Sequence, residues 1–269
     1  MKMSRLAALS SSLLLGAVLA LTGAATAAAA PSARAVDYVA LGDSYSSGVG
    51  SGSYDSGSGS CKRSSKAYPA LWAAANAPSS FAFAACSGAR TGDVKSGQLG
   101  SLNSSTDLVS ISIGGNDAGF ADVMTTCVLQ SEATCLNRID TARSYVATTL
   151  PGNLDSVYSA IRAKAPSARV VVLGYPRFYE IGGSCAVGLS DKVRSAINAA
   201  ADYLNTTTAK RAADHGFAYA DVAGRFGGHE ICSGNAWLHS VNWLNIGESY
   251  HPTAAGQSGG YLPALAAAA

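Results

Sequence analysis

Three residues that could take part in acyl transfer stand directly after apolar runs of the chain. Ser44 follows Val39-Ala40-Leu41-Gly42-Asp43, Gly88 follows a second run, and Asn116 follows a third, within Gly114-Gly115-Asn116-Asp117. A serine hydroxyl becomes a nucleophile when a neighbouring base takes its proton. The backbone N–H groups of Ser44 and Gly88 and the side-chain amide of Asn116 could stabilise the oxyanion that results. Ser44 taken alone could equally be a helix cap.

The base for such a reaction must come from four histidines. His215 ends a helical pattern and is expected to cap that helix, whereas His229 and His239 lie in an irregular aromatic region and are interpreted as surface or hydrogen-bonded residues. His251 directly precedes Pro252 and a terminal helix, a position that fixes a side chain well. His251 is therefore the candidate base.

A second serine matches a known catalytic pattern by chance. Gly256-Gln257-Ser258-Gly259-Gly260 has the Gly-x-Ser-x-Gly spacing, which requires a strand before the serine and a histidine after it. No strand is predicted before Ser258 and no histidine follows it. This serine is not predicted to be catalytic.

The elements that position these residues alternate along the chain. Apolar runs predict five strands, whereas helical patterns follow or separate them. Such alternation indicates a parallel sheet with helices on both faces, where ligands bind at the carboxyl ends of the strands. The predicted strands are Val36 to Leu41, Phe81 to Ala85, Leu108 to Ile113, Arg169 to Leu173 and Phe217 to Ala220. The predicted helices are Ala67 to Asn76, Asn137 to Ala165 with a break at Pro151, and Ser190 to His215.

The first 35 residues have the pattern of a secretory signal peptide. Lys2 and Arg5 precede an apolar run that is too short to span a bilayer, and small residues suited to cleavage follow near residues 30–35. The rest, residues 36–269, is predicted to be one domain, a secreted protein with no membrane span. The formal charge of +2 falls to zero without Lys2 and Arg5, because the first thirty residues hold no acid. A neutral chain is not expected to bind nucleic acid.

Six cysteines in an exported chain predict three disulfides. Fifteen pairings are possible. Proximity along the chain favours Cys61 with Cys86, Cys127 with Cys135, and Cys185 with Cys232.

Together, Gly42-Asp43-Ser44-Tyr45, Gly88, Gly114-Gly115-Asn116-Asp117 and His251 resemble the four sequence blocks of the SGNH (GDSL) hydrolases. The chain is most similar to the secreted bacterial lipases and phospholipases A1 of that family. The resemblance implies a flavodoxin-like α/β/α sandwich of three layers. It also implies Ser44 as nucleophile, His251 as base, an oxyanion hole formed by Ser44, Gly88 and Asn116, and no metal or cofactor.

The residue that orients His251 departs from the family pattern. Many members have an aspartate three residues before the histidine, where this chain has Glu248. In the lipases that it resembles, a backbone carbonyl does this work, and Ser249 is the candidate here. A Ser44–His251 dyad held by Ser249 is favoured over a triad through Glu248.

Large apolar residues near these blocks favour lipid substrates over acetyl esters. The candidate groove walls are Phe120, Met124, Phe178, Tyr179, Trp237, Leu238, Trp243, Leu244 and Ile246. We expect a monomer that acts on a lipid or small ester at a lipid–water interface. The alternatives are a carbohydrate acetyl esterase of the same fold and a secreted binding protein without catalysis.

Overall fold

Five parallel strands form one sheet in the order β2-β1-β3-β4-β5. In the computed structural model, which describes residues 36–185 and 188–269, the strands are β1 Asp37–Gly42, β2 Ser80–Phe83, β3 Leu108–Ser112, β4 Arg169–Leu173 and β5 Ala218–Ala220. All five predicted strands are present within two residues at each end. The predicted signal peptide lies outside the described residues.

The central strands are buried because helices cover both faces of the sheet. Every residue of β3 is buried, Ser110 and Ser112 included. Eight α-helices occur in the described residues: α1 Ser44–Ser47, α2 Tyr68–Asn76, α3 Thr91–Asp93, α4 Phe120–Leu129, α5 Glu132–Thr148, α6 Leu150–Lys164, α7 Asp191–Asp214 and α8 Leu262–Ala268. Helices α5, α6 and α7 pack against one another, and α2 packs against α8. This is the three-layer α/β/α sandwich that was predicted.

Short helical turns complete the chain between these elements. The 3-10 turns are Ser56–Cys61, Leu99–Ser101, Ala223–Phe226 and Ile246–Glu248, and the π-helical segments are Val94–Gln98 and Gly256–Tyr261. No helix in the described part of the chain is both long enough and apolar enough to cross a membrane.

The predicted helix boundaries need two corrections. The helix expected from Asn137 begins at Glu132, because the Ser131 side chain accepts a hydrogen bond from the Thr134 N–H and caps it. It ends at Thr148, and Pro151 lies in the first turn of α6, where its missing N–H costs no hydrogen bond. Helix α4 was not predicted.

The described residues contain three disulfides. They join Cys61 to Cys86, Cys127 to Cys135 and Cys185 to Cys232, which is the pairing favoured by sequence proximity. The first bridge connects the end of a glycine- and serine-rich loop to the turn after β2. The second connects α4 to α5.

Candidate active site

Ser44 lies at the carboxyl end of the sheet, as the first residue of α1 immediately after β1. Asp43 precedes it as N-cap, and its carboxylate accepts a hydrogen bond from the Tyr45 N–H. The Asp43 N–H donates to the carbonyl of Ser112 at the end of β3. The turn that carries Ser44 is therefore anchored to the two central strands.

Gly42 makes this sharp turn possible. Its φ of +121° is favoured only for glycine, and a Cβ atom here would lie 2.5 Å from the Ser112 carbonyl oxygen. The side-chain amide of Gln98 makes the two hydrogen bonds that a neighbouring strand would otherwise make. Its Oε1 accepts from the Gly42 N–H and its Nε2 donates to the Gly42 carbonyl. Both backbone groups are thus satisfied at the end of β1.

The Ser44 Oγ and the His251 Nε2 lie 2.8 Å apart. The other ring nitrogen, Nδ1, is 3.0 Å from the carbonyl oxygen of Ser249. A carbonyl oxygen can only accept, so Nδ1 carries the proton and Nε2 is left to accept from the Ser44 hydroxyl. This is the tautomer that a general base needs.

The Glu248 carboxylate is hydrogen-bonded to Tyr54, not to the His251 ring. Its Oε1 accepts a hydrogen bond from the Tyr54 hydroxyl at 2.8 Å, and the same hydroxyl accepts from the Gly50 N–H. Of the two predicted orienting groups, the Ser249 carbonyl makes a hydrogen bond to the ring, whereas the Glu248 carboxylate bonds to Tyr54.

Tyr45 packs beside the His251 ring and bonds to the residue before it. Its ring centroid lies 5.2 Å from that of His251, and its hydroxyl donates to the Tyr250 carbonyl at 2.7 Å. Tyr250 has a φ of +64°, an unfavourable backbone conformation for a residue other than glycine. The hydrogen bond from Tyr45 helps to hold that conformation next to His251.

Burial lowers the pKa of His251 from its usual 6.5 to about 4. Loss of hydration disfavours the imidazolium, and the hydrogen bond to Ser249 offsets this only in part. The nearby charge of Lys62 lowers the pKa further. The ring is therefore neutral across the physiological range.

Gly88 and Asn116 border the same cleft as Ser44 and His251. Gly88 has a φ of +79°, and nothing lies within 4 Å of the position that a Cβ atom would take. Asn116 Nδ2 donates one hydrogen bond to the Ala89 carbonyl at 3.0 Å, and an amide nitrogen has a second N–H to offer. The three predicted oxyanion donors thus meet at one edge of the sheet.

Sequence reasoning missed a buried network that links the nucleophile turn to the Asn116 loop. The hydroxyl of Tyr175, directly beyond β4, donates to Asp43 and accepts from the Gly115 N–H. Ser112 also donates to Asp43, at 2.7 Å. Burial raises the pKa of the Asp43 carboxyl to about 6, although these hydrogen bonds lower it. The position of Tyr175 just after a strand was the available signal.

An apolar cavity begins at Ser44 and Asn116 and extends between α4, α5 and α7. Tyr175 and Phe178 form part of its wall. The other apolar residues of its lining are Ala118, Phe120, Val123, Met124, Ile139, Ala142, Val146, Ile197, Ala200, Ala201 and Leu204. The contributions of α5 and α7 were not predicted.

Five of the predicted groove walls border the cavity or the adjoining cleft: Phe120, Met124, Phe178, Trp243 and Ile246. The other four do not. Tyr179 donates to the Tyr250 hydroxyl, Trp237 stacks on His229, Leu238 is buried in a bridge to Pro252, and Leu244 is fully exposed. Large size and proximity along the chain do not determine which way a side chain faces.

The remaining histidines have structural contacts, as predicted. His215 is the C-cap residue of α7 and contacts Asp155, and His229 bonds to the Asn235 carbonyl. His239 bonds to the Gly50 carbonyl, and its backbone pairs with the segment that carries His251. Ser258 is exposed on a π-helical turn, away from the strands.

Comparison with known proteins identifies the family. The profile of the GDSL-like Lipase/Acylhydrolase family matches residues 40–258, which include Ser44, Gly88, Asn116 and His251. The chain belongs to this family. As a GDSL-like acylhydrolase it is a carboxylic ester hydrolase, and the alternative of a non-catalytic binding protein does not hold.

Similar GDSL-like proteins come from Streptomyces. The chain is 70% identical to Lipase 1 of Streptomyces coelicolor over the full length of both chains. It matches the crystal structure of phospholipase A1 from Streptomyces albidoflavus NA297 with a TM-score of 0.86 and 71% identity, over 87% of this chain and all of the other. An extracellular lipase from Streptomyces rimosus matches with a TM-score of 0.86 and 69% identity over the same shares.

Proposed function

We propose that the protein is a secreted lipid acylhydrolase, a lipase of the phospholipase A1 type, that works as a monomer through an acyl-enzyme. The observation that carries this proposal is the apolar cavity that begins at Ser44 and Asn116. A fatty acyl chain needs an apolar channel beside the nucleophile, whereas an acetyl group needs almost none. The names of the similar Streptomyces lipases and phospholipase A1 support the same substrate class.

In the first step, His251 Nε2 takes the Ser44 proton as Oγ attacks the ester carbonyl. The negative charge that develops on the carbonyl oxygen is stabilised by the N–H groups of Ser44, Gly88 and Asn116. The imidazolium keeps its hydrogen bond to the Ser249 carbonyl and then passes its proton to the departing alcohol. Ser44 is left esterified with the acyl chain in the cavity.

In the second step, water takes the place of the alcohol. His251 removes a proton from the water, which attacks the acyl carbonyl, and the fatty acid leaves as Ser44 recovers its proton. The carboxylate of Glu248 takes no part in this mechanism.

Export, unlike the monomeric state, has separate support. Residues 1–35 have the signal-peptide pattern, three disulfides suit an oxidising environment, and the similar protein from Streptomyces rimosus is an extracellular lipase. Recovery of the protein from the culture supernatant tests export, and an intracellular product would contradict it. Analytical ultracentrifugation of the recovered protein tests the monomeric state, and a larger species would contradict it.

The substrate class is tested by chain length. Rates on p-nitrophenyl acetate, p-nitrophenyl palmitate and a diacyl phospholipid should favour the long chains, and Ser44→Ala should abolish all three. A strong preference for acetate would instead support a carbohydrate acetyl esterase. Mass analysis of the lysophospholipid from a mixed-chain phosphatidylcholine identifies the position that is cut, and release of the acyl chain from the sn-1 position is expected.

A further inference from the structure

Large apolar side chains are exposed at the edge of the catalytic cleft. In the described residues five such side chains are exposed: Leu129 at 61%, Ile181 at 50%, Trp243 at 70%, Leu244 at 100% and Ile246 at 63%. Three of them, Leu129, Trp243 and Ile246, border the cleft that contains Ser44 and His251. Leu244 follows Trp243 directly. We name these four residues the apolar rim, from which Ile181 is excluded.

The apolar rim brings together two elements that are distant in the sequence. Leu129 is the last residue of α4, and the other three belong to the loop before His251. Side chains of Phe120, Met124 and Val128 on α4 continue from the rim into the cleft. The exposed apolar surface and the interior cavity, which Phe120 and Met124 also border, are therefore continuous.

The loop that carries the rim is held in place by hydrogen bonds. The Asn242 side chain accepts from the N–H groups of Leu244 and Asn245, and the Asn242 N–H donates to the Ser249 hydroxyl at 2.8 Å. Ser249 is also the residue whose carbonyl bonds to His251. Exposure of Trp243 and Leu244 is thus built into a turn with defined hydrogen bonds.

We propose that the apolar rim is the surface through which the enzyme docks on a lipid–water interface, an inference that rests on the proposed function. A protein partner seated on Leu129, Trp243 and Ile246 would cover the mouth of the cleft and exclude substrate. A lipid surface at the same place supplies substrate, because an acyl chain can pass from the lipid phase into the cavity without crossing water.

Tryptophan fluorescence tests the contact directly. The chain has three tryptophans, of which Trp72 is buried and Trp237 stacks on His229, so Trp243 is the exposed one. The protein as secreted, carrying Ser44→Ala, is the species to test, because it should bind lipid without hydrolysing it. Adding phosphatidylcholine vesicles should shift its emission to shorter wavelength, and Trp243→Phe should remove the shift while vesicle binding persists.

Leu244 provides the matched pair of variants, because it borders neither the cavity nor the cleft. Leu244→Ser in the Ser44→Ala background should weaken vesicle partitioning by about 10-fold, since burial of a leucine side chain favours transfer from water. Ile181→Ser removes an exposed apolar side chain outside the rim and should leave partitioning unchanged. With Ser44 intact, Leu244→Ser should hydrolyse water-soluble p-nitrophenyl acetate as the parent protein does.

The absence of an emission shift, or equal losses for Leu244→Ser and Ile181→Ser, would overturn the docking proposal. Failure of the proposed function gives a different result. In that case the Ser44→Ala protein binds vesicles through the rim, but the active enzyme releases no fatty acid from them.

Discussion

His251 donates its Nδ1 proton to the carbonyl oxygen of Ser249, two residues before it in the chain, at 3.0 Å. A neutral carbonyl therefore occupies the position that a carboxylate has in a triad. Glu248, the nearest acidic side chain in sequence, bonds instead to Tyr54.

The variant Glu248→Gln should keep kcat and KM near those of the parent enzyme. Glutamine retains the Oε1 atom that accepts from Tyr54, and it removes the charge of a carboxylate that is hydrogen-bonded to Tyr54 and not to the His251 ring. Steady-state hydrolysis of p-nitrophenyl butyrate would measure this. His251→Ala is the control, and its kcat should fall by about 10³-fold or more. A comparable fall in Glu248→Gln would show that Glu248 acts as the third member of a triad.

The pH profile should extend to acidic values. His251 acts as a base only when neutral, so activity falls as the pH drops through its pKa, and burial lowers that pKa to about 4. The acidic limb of kcat/KM should therefore lie well below 6.5. Rates measured from about pH 3 to pH 8, with circular dichroism to verify that the protein stays folded, would locate it. A midpoint at 6.5 or above contradicts the environment described for this ring.

Gly88→Ala should lower turnover strongly, whereas it should destabilise the fold only modestly. The methyl group meets nothing within 4 Å, but a φ of +79° costs about 1–2 kcal/mol for alanine, so the turn that presents the Gly88 N–H should shift. Loss of one oxyanion donor commonly lowers turnover by about 10²–10³-fold.

Gly216→Ala is the matched control for Gly88→Ala. Gly216 has a φ of +66° and equally open surroundings, and it follows α7 far from Ser44 in sequence and outside the cleft. Both variants should lower the midpoint of thermal unfolding similarly. Equal kcat values in the two variants would show that the Gly88 N–H does not stabilise the oxyanion.

Ala201→Phe should shorten the preferred acyl chain. Ala201 lines the cavity from α7, and a phenyl ring there would occupy the space of the distal methylenes. We expect kcat/KM for palmitate esters to fall by about 10-fold or more, with acetate esters little affected. Ala199→Phe adds the same ring to the exposed face of α7 and should leave the ratio unchanged. A uniform loss on all esters would indicate a folding defect instead.

The central strands β1, β3 and β4 could be predicted because they are almost entirely buried and therefore rich in apolar residues. Helix α4 could not, since Phe120–Leu129 holds several β-branched residues and its helical state depends on packing against α5. The polar end of the site was predictable for a related reason: Ser44, Gly88 and Asn116 each follow a strand, and parallel strands bring their carboxyl ends together.

The cavity wall required the tertiary structure. Ile139, Ala142 and Val146 recur at helical spacing, as do Ile197, Ala201 and Leu204, so the sequence shows that each set shares a helix face. It does not show that the two helices pack so as to leave a space between those faces. Tyr175 also escaped prediction, because its hydroxyl contacts Asp43 across 132 residues of sequence.

The bridge between Cys61 and Cys86 lies two residues before Gly88, and the Ser87 N–H donates to the Cys61 carbonyl. The backbone that presents a predicted oxyanion donor is thus fastened covalently to a glycine- and serine-rich loop. A newly made chain whose thiols are reduced lacks the Cys61–Cys86 bridge. Because the Gly88 N–H is then held less firmly, we expect that chain to hydrolyse esters poorly. Coupling of turnover to thiol oxidation would keep the enzyme inactive before the secretion that we propose.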